Sequence, residues 1–184
     1  AQISAAKNAG ADLVFLPIYY QQASLILTQC KSANYNPTFF GCDGLDGLLS
    51  IKNFDTSLCE GVMLLTPFAA DAQDQATQDF VKKYKDAYKG ETPNQFAADA
   101  YDGVMVLAEL MKKEGITADM SASDICDKLK KAISDKDFSY DGLTGTGMKW
   151  GEDGAVSKDP KAVIIKNGAY SALTADDIAA STAQ

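Results

Sequence analysis

The sequence predicts an α/β fold built of parallel sheets with helices on both faces. Three observations predict it. Apolar runs at residues 12–19, 37–42 and 61–68 have the length of buried strands. The stretch between the first two repeats its apolar positions at helical spacing, at Ala23, Ile26, Leu27 and Cys30. The links are short, so the order reads β-α-β-α-β, which gives parallel strands joined by right-handed crossovers.

The elements follow in order. Residues 2–9 read as a helix, and Gly10 as the residue just past its end. "DLVFLPIY" (12–19) is a continuous apolar run, expected to be a strand covered on both faces. Residues 20–33 form the crossover helix, "PTFFGC" (37–42) a second strand, and residues 46–51 a single helical turn. "GVMLLTPF" (61–68) is a third strand, stopped by Pro67. In such sheets ligands collect at the carboxyl ends of strands, here Pro17–Tyr20, Gly41–Gly44 and Thr66–Ala69.

Residues 74–133 read almost wholly helical. "DFVKKYKDAYK" sets Phe80, Val81, Tyr84 and Tyr88 on one face. Thr92 and Pro93 read as the cap and first residue of a longer helix that ends at Gly115. Ser121, with Asp124 three residues on, opens a third helix carrying Ile125, Leu129 and Ile133 on one side. From Tyr140 the chain is turn-rich. Asp153-Gly154 and Asn167-Gly168 are dipeptides that favour two-residue hairpins, and residues 175–184 are expected to be a frayed end. The three helices have apolar faces but no local strands to cover. A second sheet for them is expected from sequence upstream of Ala1, because the chain opens on what reads as the end of a helix followed by a strand.

Composition narrows the function. The 184 residues have 46% hydrophobic content, enough for a core in one domain or a small two-lobed one. Net charge is −8 with no basic block, so no nucleic-acid footprint is visible. The absence of histidine removes the Ser-His-Asp triad, the Cys-His pair and most catalytic zinc sites. Four cysteines, Cys30, Cys42, Cys59 and Cys126, show no CxxC spacing, and in a chain of this size they read as buried free thiols. No apolar run reaches the roughly 20 residues of a membrane span.

The candidate site residues sit at the strand ends. "DGLDG" (43–47) superficially matches acidic cation loops, but an EF-hand needs a bidentate Glu eleven residues after the first Asp, and that position is Phe54. "GLTGTG" (142–147) lacks the GK[ST] ending of a phosphate loop and reads as a turn between strands. Asp46 reads as the cap of the short helix at 47–51. Asp43 either shapes a surface turn or, partly desolvated at a strand end, seeks a cation such as a ligand ammonium. Tyr19 and Tyr20 either wall an apolar pocket or pack on the next helix. Phe96, taken alone, reads as core.

The stretches "ADLVFLPIYYQQASLILTQ", "FFGCDGLDG", "EGVMLLTPF", "FVKKYKDAYKGETPNQFAADAYDGV" and "GLTGTGMKWGEDGAV" together resemble the branched-chain (leucine/isoleucine/valine) amino-acid-binding family of ABC-transporter solute-binding proteins, from about Ala1 to Leu173. The resemblance implies a two-lobed periplasmic-binding fold of type I, closing on its ligand by a hinge, with the N-terminal portion missing. It assigns residues 1–68 to a C-terminal-lobe βαβαβ segment. Residues 69–140 become a helical segment of the N-terminal lobe, and residues 141–184 a turn-rich strand segment crossing back. It implies that Asp43 holds the ligand ammonium, that Tyr19 packs on the ligand, and that Phe96 lines the side-chain pocket, with the carboxylate-binding groups upstream. Well-known branched-chain binders carry Glu where this chain has Asp43, which withdraws the charge by about 1.5 Å, one C–C bond.

The expected function is therefore a non-catalytic extracytoplasmic receptor. It would need no cofactor or metal, would be lipid-anchored through the upstream segment, and would deliver an amino acid to an ABC permease. The rival reading is a ligand-sensing domain of the same fold coupled to a signalling receptor. Taken alone, the fragment is expected to bind no ligand, and its helix faces to be covered by a partner chain or an exchanged segment, as in a dimer.

Overall fold

The apolar runs do become strands: β1 (Leu13–Leu16), β2 (Thr38–Gly41) and β3 (Met63–Thr66), in a computed structural model that describes residues 1–182. The chain divides into two units, Ala1–Asp71 with Pro160–Gln184 (unit 1) and Ala72–Asp159 (unit 2). The return to unit 1 falls at Pro160, so the turn-rich stretch 141–159 lies in unit 2.

Unit 1 is a five-stranded sheet in the order β1-β2-β3-β6-β7, with β6 spanning Lys161–Lys166 and β7 Ala169–Ala172. Strands β1, β2 and β3 run parallel, as their helical and looped connections require. Strands β6 and β7 are added antiparallel through the Asn167-Gly168 turn, where φ is 51° and 74°. Positive φ at both residues is what a two-residue type I′ hairpin needs. Helix α1 (Gln2–Asn8) ends as expected, with Gly10 at φ 70°. Helix α2 (Tyr20–Ser32) places Ala23, Leu27 and Cys30 in one core with Leu16, Phe39, Leu64, Val163 and Ile165. Full burial of a side chain such as Leu27 or Leu64 contributes about 1.5–3 kcal/mol.

Two expectations are corrected here. Strand β1 is not covered on both faces: Leu13 and Phe15 are 54% and 53% exposed. It is an edge strand, and on its second face the Phe15 ring stacks on that of Phe40 at 5.9 Å. The C-terminal residues are not frayed: Ala175–Thr182 form helix α6. Its first turn is held by Asp177, which accepts from the Thr174 hydroxyl at 2.8 Å and amide at 3.0 Å and pairs with Lys166. Its far end meets the sheet where the Thr38 hydroxyl donates to the Ser181 carbonyl at 3.0 Å. Residues 183–184 of the expected frayed end lie outside the described residues.

Unit 2 carries α3 (Gln75–Ala87), α4 (Gln95–Lys113) and α5 (Ala122–Ile133). Asp74 caps α3 by accepting from the Thr77 amide, and Ser121 caps α5 by accepting from the Asp124 amide, as its spacing predicts. The cap of α4 is Asn94, not Thr92: its side chain accepts from the Ala97 amide at 3.2 Å. Asn at that position satisfies an open amide, and Pro93, which has none, stands just before it. Val106 and Leu110 of α4 pack with Ala132 and Phe138, while Val104, Leu107 and Met111 of the same helix are exposed. Phe80 meets Tyr84 and Tyr101, and Tyr84 meets Tyr88 at 4.4 Å.

Strands β4 (Lys149–Trp150) and β5 (Val156–Ser157) pair antiparallel. Their connection is not a two-residue turn at Asp153-Gly154 but a longer loop, closed by the Gly151 amide on the Ala155 carbonyl and by Asp153 accepting from the Ala155 amide. The aspartate side chain takes the bond that a tight turn would have made with backbone.

All four cysteines are free thiols. Cys30 and Cys59 are buried as expected, but Cys42 is only half-buried and Cys126 is exposed, one position off the apolar stripe of α5. Burial pushes the Cys59 thiol up to about 12, with the nearby Asp55 adding to the shift, so it is no nucleophile.

Candidate functional site

The carboxyl ends of β1 and β2 lie side by side because the two strands pair in parallel, Leu16 against Gly41. Beyond β1 the chain runs through Pro17 and Ile18 to Tyr19, which is extended (φ −84°, ψ 157°) and immediately precedes α2. Beyond β2 it folds into a 3-10 turn at Asp43–Leu45, closed by the Asp46 amide on the Asp43 carbonyl at 3.0 Å.

Two glycines let these ends press together. A Cβ on Gly41 would sit 2.2 Å from Leu45 Cδ1, so the turn folds back onto its own strand. A Cβ on Gly44 would sit 2.6 Å from the Ile18 carbonyl oxygen and 3.4 Å from the Tyr19 Cα. The Asp43 turn therefore rests directly on the Ile18–Tyr19 segment. Both expected ligand groups of unit 1 end up together and accessible: Asp43 is exposed, and Tyr19 is 64% exposed. Of the two alternatives for Asp43, the exposure fits the surface position and not the partly desolvated one. In unit 2, Phe96 opens the second turn-forming position of α4 and is 36% exposed, so it is not a core residue.

Asp46 has a different place from the one its sequence position implies. It is 5% exposed, and the short 3-10 helix that follows, Leu48–Ser50, is preceded by Gly47 with no side-chain cap. Its carboxylate instead accepts from the Tyr170 hydroxyl on β7. The same hydroxyl oxygen accepts from the Gly47 amide at 3.2 Å. Burial, first, and the Asp46 charge, second, hold the Tyr170 hydroxyl above its ordinary value, so it stays a donor. Gly47 needs to be glycine twice over: its φ is 116°, and a Cβ would meet the Tyr20 ring at 3.0 Å.

The glycine-rich stretch 142–147 surrounds a carboxylate of its own chain. Asp102 on α4 is 4% exposed. It accepts from the Leu143 amide at 2.9 Å, the Thr144 amide at 2.8 Å and the Thr144 hydroxyl at 2.8 Å. A Cβ on Gly142 would collide with Asp102 Oδ2 at 2.5 Å, which is why the loop can close over it. Lys158 donates to the Thr144 hydroxyl at 3.2 Å and pairs with Asp99 at 3.1 Å. The reading as a turn between strands is thereby sharpened: the Tyr140–Met148 bridge closes a loop in which the amides of Gly142, Leu143, Thr144 and Gly147 are bonded within the protein.

Sequence reasoning did not single out Tyr170, Asp102 or Thr144. A signal for Asp102 was present: Ala98, Asp102, Val106 and Leu110 repeat every four residues, so the aspartate occupies the buried stripe of α4. Tyr170 had no comparable signal, because a tyrosine in a strand is ordinary.

Comparison with known proteins follows the same outline. A family model described as periplasmic binding protein matches residues 1–169. A leucine-, isoleucine-, valine-, threonine- and alanine-binding protein of Pseudomonas aeruginosa is 30% identical over 116 residues, 62% of this chain and 30% of that protein. A leucine-binding protein of Thermotoga maritima has a similar structure, with TM-score 0.73, 24% identity, and coverage of 96% of this chain and 48% of that one. A branched-chain amino-acid transporter substrate-binding protein of Streptococcus pneumoniae, solved with isoleucine, gives 0.72 at 22% identity, covering 92% and 46%. A solute-binding protein of R. palustris, solved with benzoate, gives 0.77 at 18% identity, covering 94% and 45%. The chain spans about half the length of these structures, and its matched stretch covers 30% of the Pseudomonas protein.

Proposed function

The chain belongs to the periplasmic binding protein family, and from that premise we propose that it is part of an extracytoplasmic receptor for an amino acid, a branched-chain one first among them, which it delivers to an ABC permease. One observation carries the reading: an exposed carboxylate and an exposed aromatic ring sit together at the carboxyl ends of two adjacent parallel strands. In the proposed mechanism Asp43 accepts hydrogen bonds from the ligand ammonium, and the Tyr19 ring covers its aliphatic part. Phe96 is the residue the resemblance assigns to the ligand side chain. Water leaves when the ligand is enclosed, which strengthens the charge pair well beyond its value in solvent. Enclosure is favoured only by contacts that the ligand makes better in the closed form.

The chemistry of Asp43 also bears on the class of ligand. A negative group at this place favours an ammonium and opposes a ligand whose polar groups are carboxylate alone, such as the benzoate in the R. palustris structure. Titration calorimetry on the intact protein with leucine, isoleucine, valine and benzoate tests the proposal. Heat is expected with the amino acids and not with benzoate, and no binding of any amino acid sinks it. Asp43→Ala is expected to cost about 2–5 kcal/mol of binding, because the ammonium would be enclosed without its partner. Unchanged affinity in that variant would remove Asp43 from the site while leaving the family assignment intact.

A further inference from the structure

The turn that carries Asp43 is anchored from the far edge of the sheet. Strand β7 is the edge opposite β1, yet its Tyr170 side chain reaches the segment after β2. There its single oxygen is bonded on two sides, donating to the Asp46 carboxylate and accepting from the Gly47 amide. Asp46 in turn closes the Asp43 turn through its own amide. The chain of bonds runs Asp43 carbonyl, Asp46 amide, Asp46 carboxylate, Tyr170 hydroxyl and Gly47 amide, all within unit 1.

A three-residue 3-10 turn closed by only two backbone bonds, the Leu45 amide on the Cys42 carbonyl at 3.1 Å and the Asp46 amide on the Asp43 carbonyl at 3.0 Å, is weak alone. An exposed carboxylate that must meet a ligand gains from being held in place beforehand, since ordering it on binding costs affinity. We propose that Tyr170 is a positioning residue for ligand recognition, its hydroxyl holding the Asp46–Gly47 segment so that Asp43 stands fixed at the end of β2. The inference rests on the reading of Asp43 as the ammonium partner. Removing the hydroxyl leaves the buried Asp46 carboxylate short of a donor. The carboxylate then turns toward water and takes its amide away from the Asp43 carbonyl.

Tyr170→Phe in the intact protein tests this, because the ring and its packing among the unit 1 core residues remain. Leucine binding is expected to weaken about tenfold, and amide exchange at Asp46 and Gly47 to quicken by a similar factor. Asp46→Ala is expected to behave alike. Asp46→Asn, whose amide oxygen still accepts from the tyrosine, is expected to recover part of the loss. The deciding measurement is a double-mutant cycle: Asp43→Asn loses less leucine affinity in the Tyr170→Phe background than in the wild type. A merely structural role for Tyr170 leaves that difference at zero, and zero overturns the proposal, as does unchanged leucine affinity in Tyr170→Phe. If the wild-type protein binds no amino acid, the ligand reading falls. The exchange rates then decide the clamp by themselves, with unchanged rates at Asp46 and Gly47 refuting it.

Discussion

Each unit buries one aspartate next to a glycine-rich loop, and the two do so by opposite means. In unit 2 the carboxylate of Asp102 comes from a helix, and the loop brings three donors to it. In unit 1 the carboxylate of Asp46 belongs to the loop itself, and a tyrosine from a distant strand comes to it. The first arrangement fastens a loop to a scaffold. The second fastens a loop whose neighbour, Asp43, faces solvent. The contrast teaches that in this chain the buried carboxylates are fasteners, and the exposed one beside a fastener is the candidate for ligand chemistry.

The contrast can be broken or sharpened by substitution. Asp102→Ala strands two amides and a hydroxyl in a buried loop, and is expected to destabilise unit 2 by about 3–5 kcal/mol. A fall in the urea midpoint monitored by Trp150, which lies in unit 2, reads it directly. A loss below about 1 kcal/mol would break the claim that Asp102 is a fastener. Gly44→Ala forces a Cβ to within 2.6 Å of the Ile18 carbonyl oxygen, a backbone atom that cannot swing aside. An expected cost of about 1–3 kcal/mol, seen as a lower thermal midpoint, measures how tightly the two strand ends are pressed together.

A smaller effect concerns α6. Hydrogen bonds from Lys166 and Thr174 hold the Asp177 carboxyl down at about 2. Because the folded value lies below the unfolded one, its contribution is present above pH of about 4 and is lost as pH falls toward 2. Asp177→Asn is expected to flatten the stability profile across that acid window, and to change little of its shape above it. The smallest effect is expected at the site itself. Asp43→Ala should change folding stability by no more than about 0.5 kcal/mol, whatever it does to binding. A large loss of stability there would erase the distinction between fastener and site.

The legibility of the fold in the sequence follows the same division. Strands β1 to β3, the crossover helix and the Asn167-Gly168 hairpin are local patterns, and local patterns were enough to read them. The position of Asp43 at a strand end was readable for the same reason. The partner of Asp46 was not, because Tyr170 lies more than a hundred residues away and only the sheet order brings it near. Leu13 and Phe15 misled in another way. An apolar run signals burial on both faces, but exposure is decided by what lies across the sheet, and the run itself carries no record of that. The helix at 175–182 did carry a local signal, Thr174 with Asp177 three residues on, whose side chains and amides bond reciprocally; its second anchor, Lys166, sits on a strand and has no local signature.

Unit 2 interrupts unit 1 between β3 and β6, which are hydrogen-bonded neighbours although residues 67–160 intervene. The order of synthesis then matters. When β3 leaves the ribosome it has β2 on one side and nothing on the other, and its missing neighbour is made only after all of unit 2. The inserted unit can begin to fold first, while the host sheet waits with an open edge. A chain stopped just before Lys161 loses more than a tail. It loses the strand that closes the sheet and, with Tyr170, the far end of the tether on the Asp43 turn.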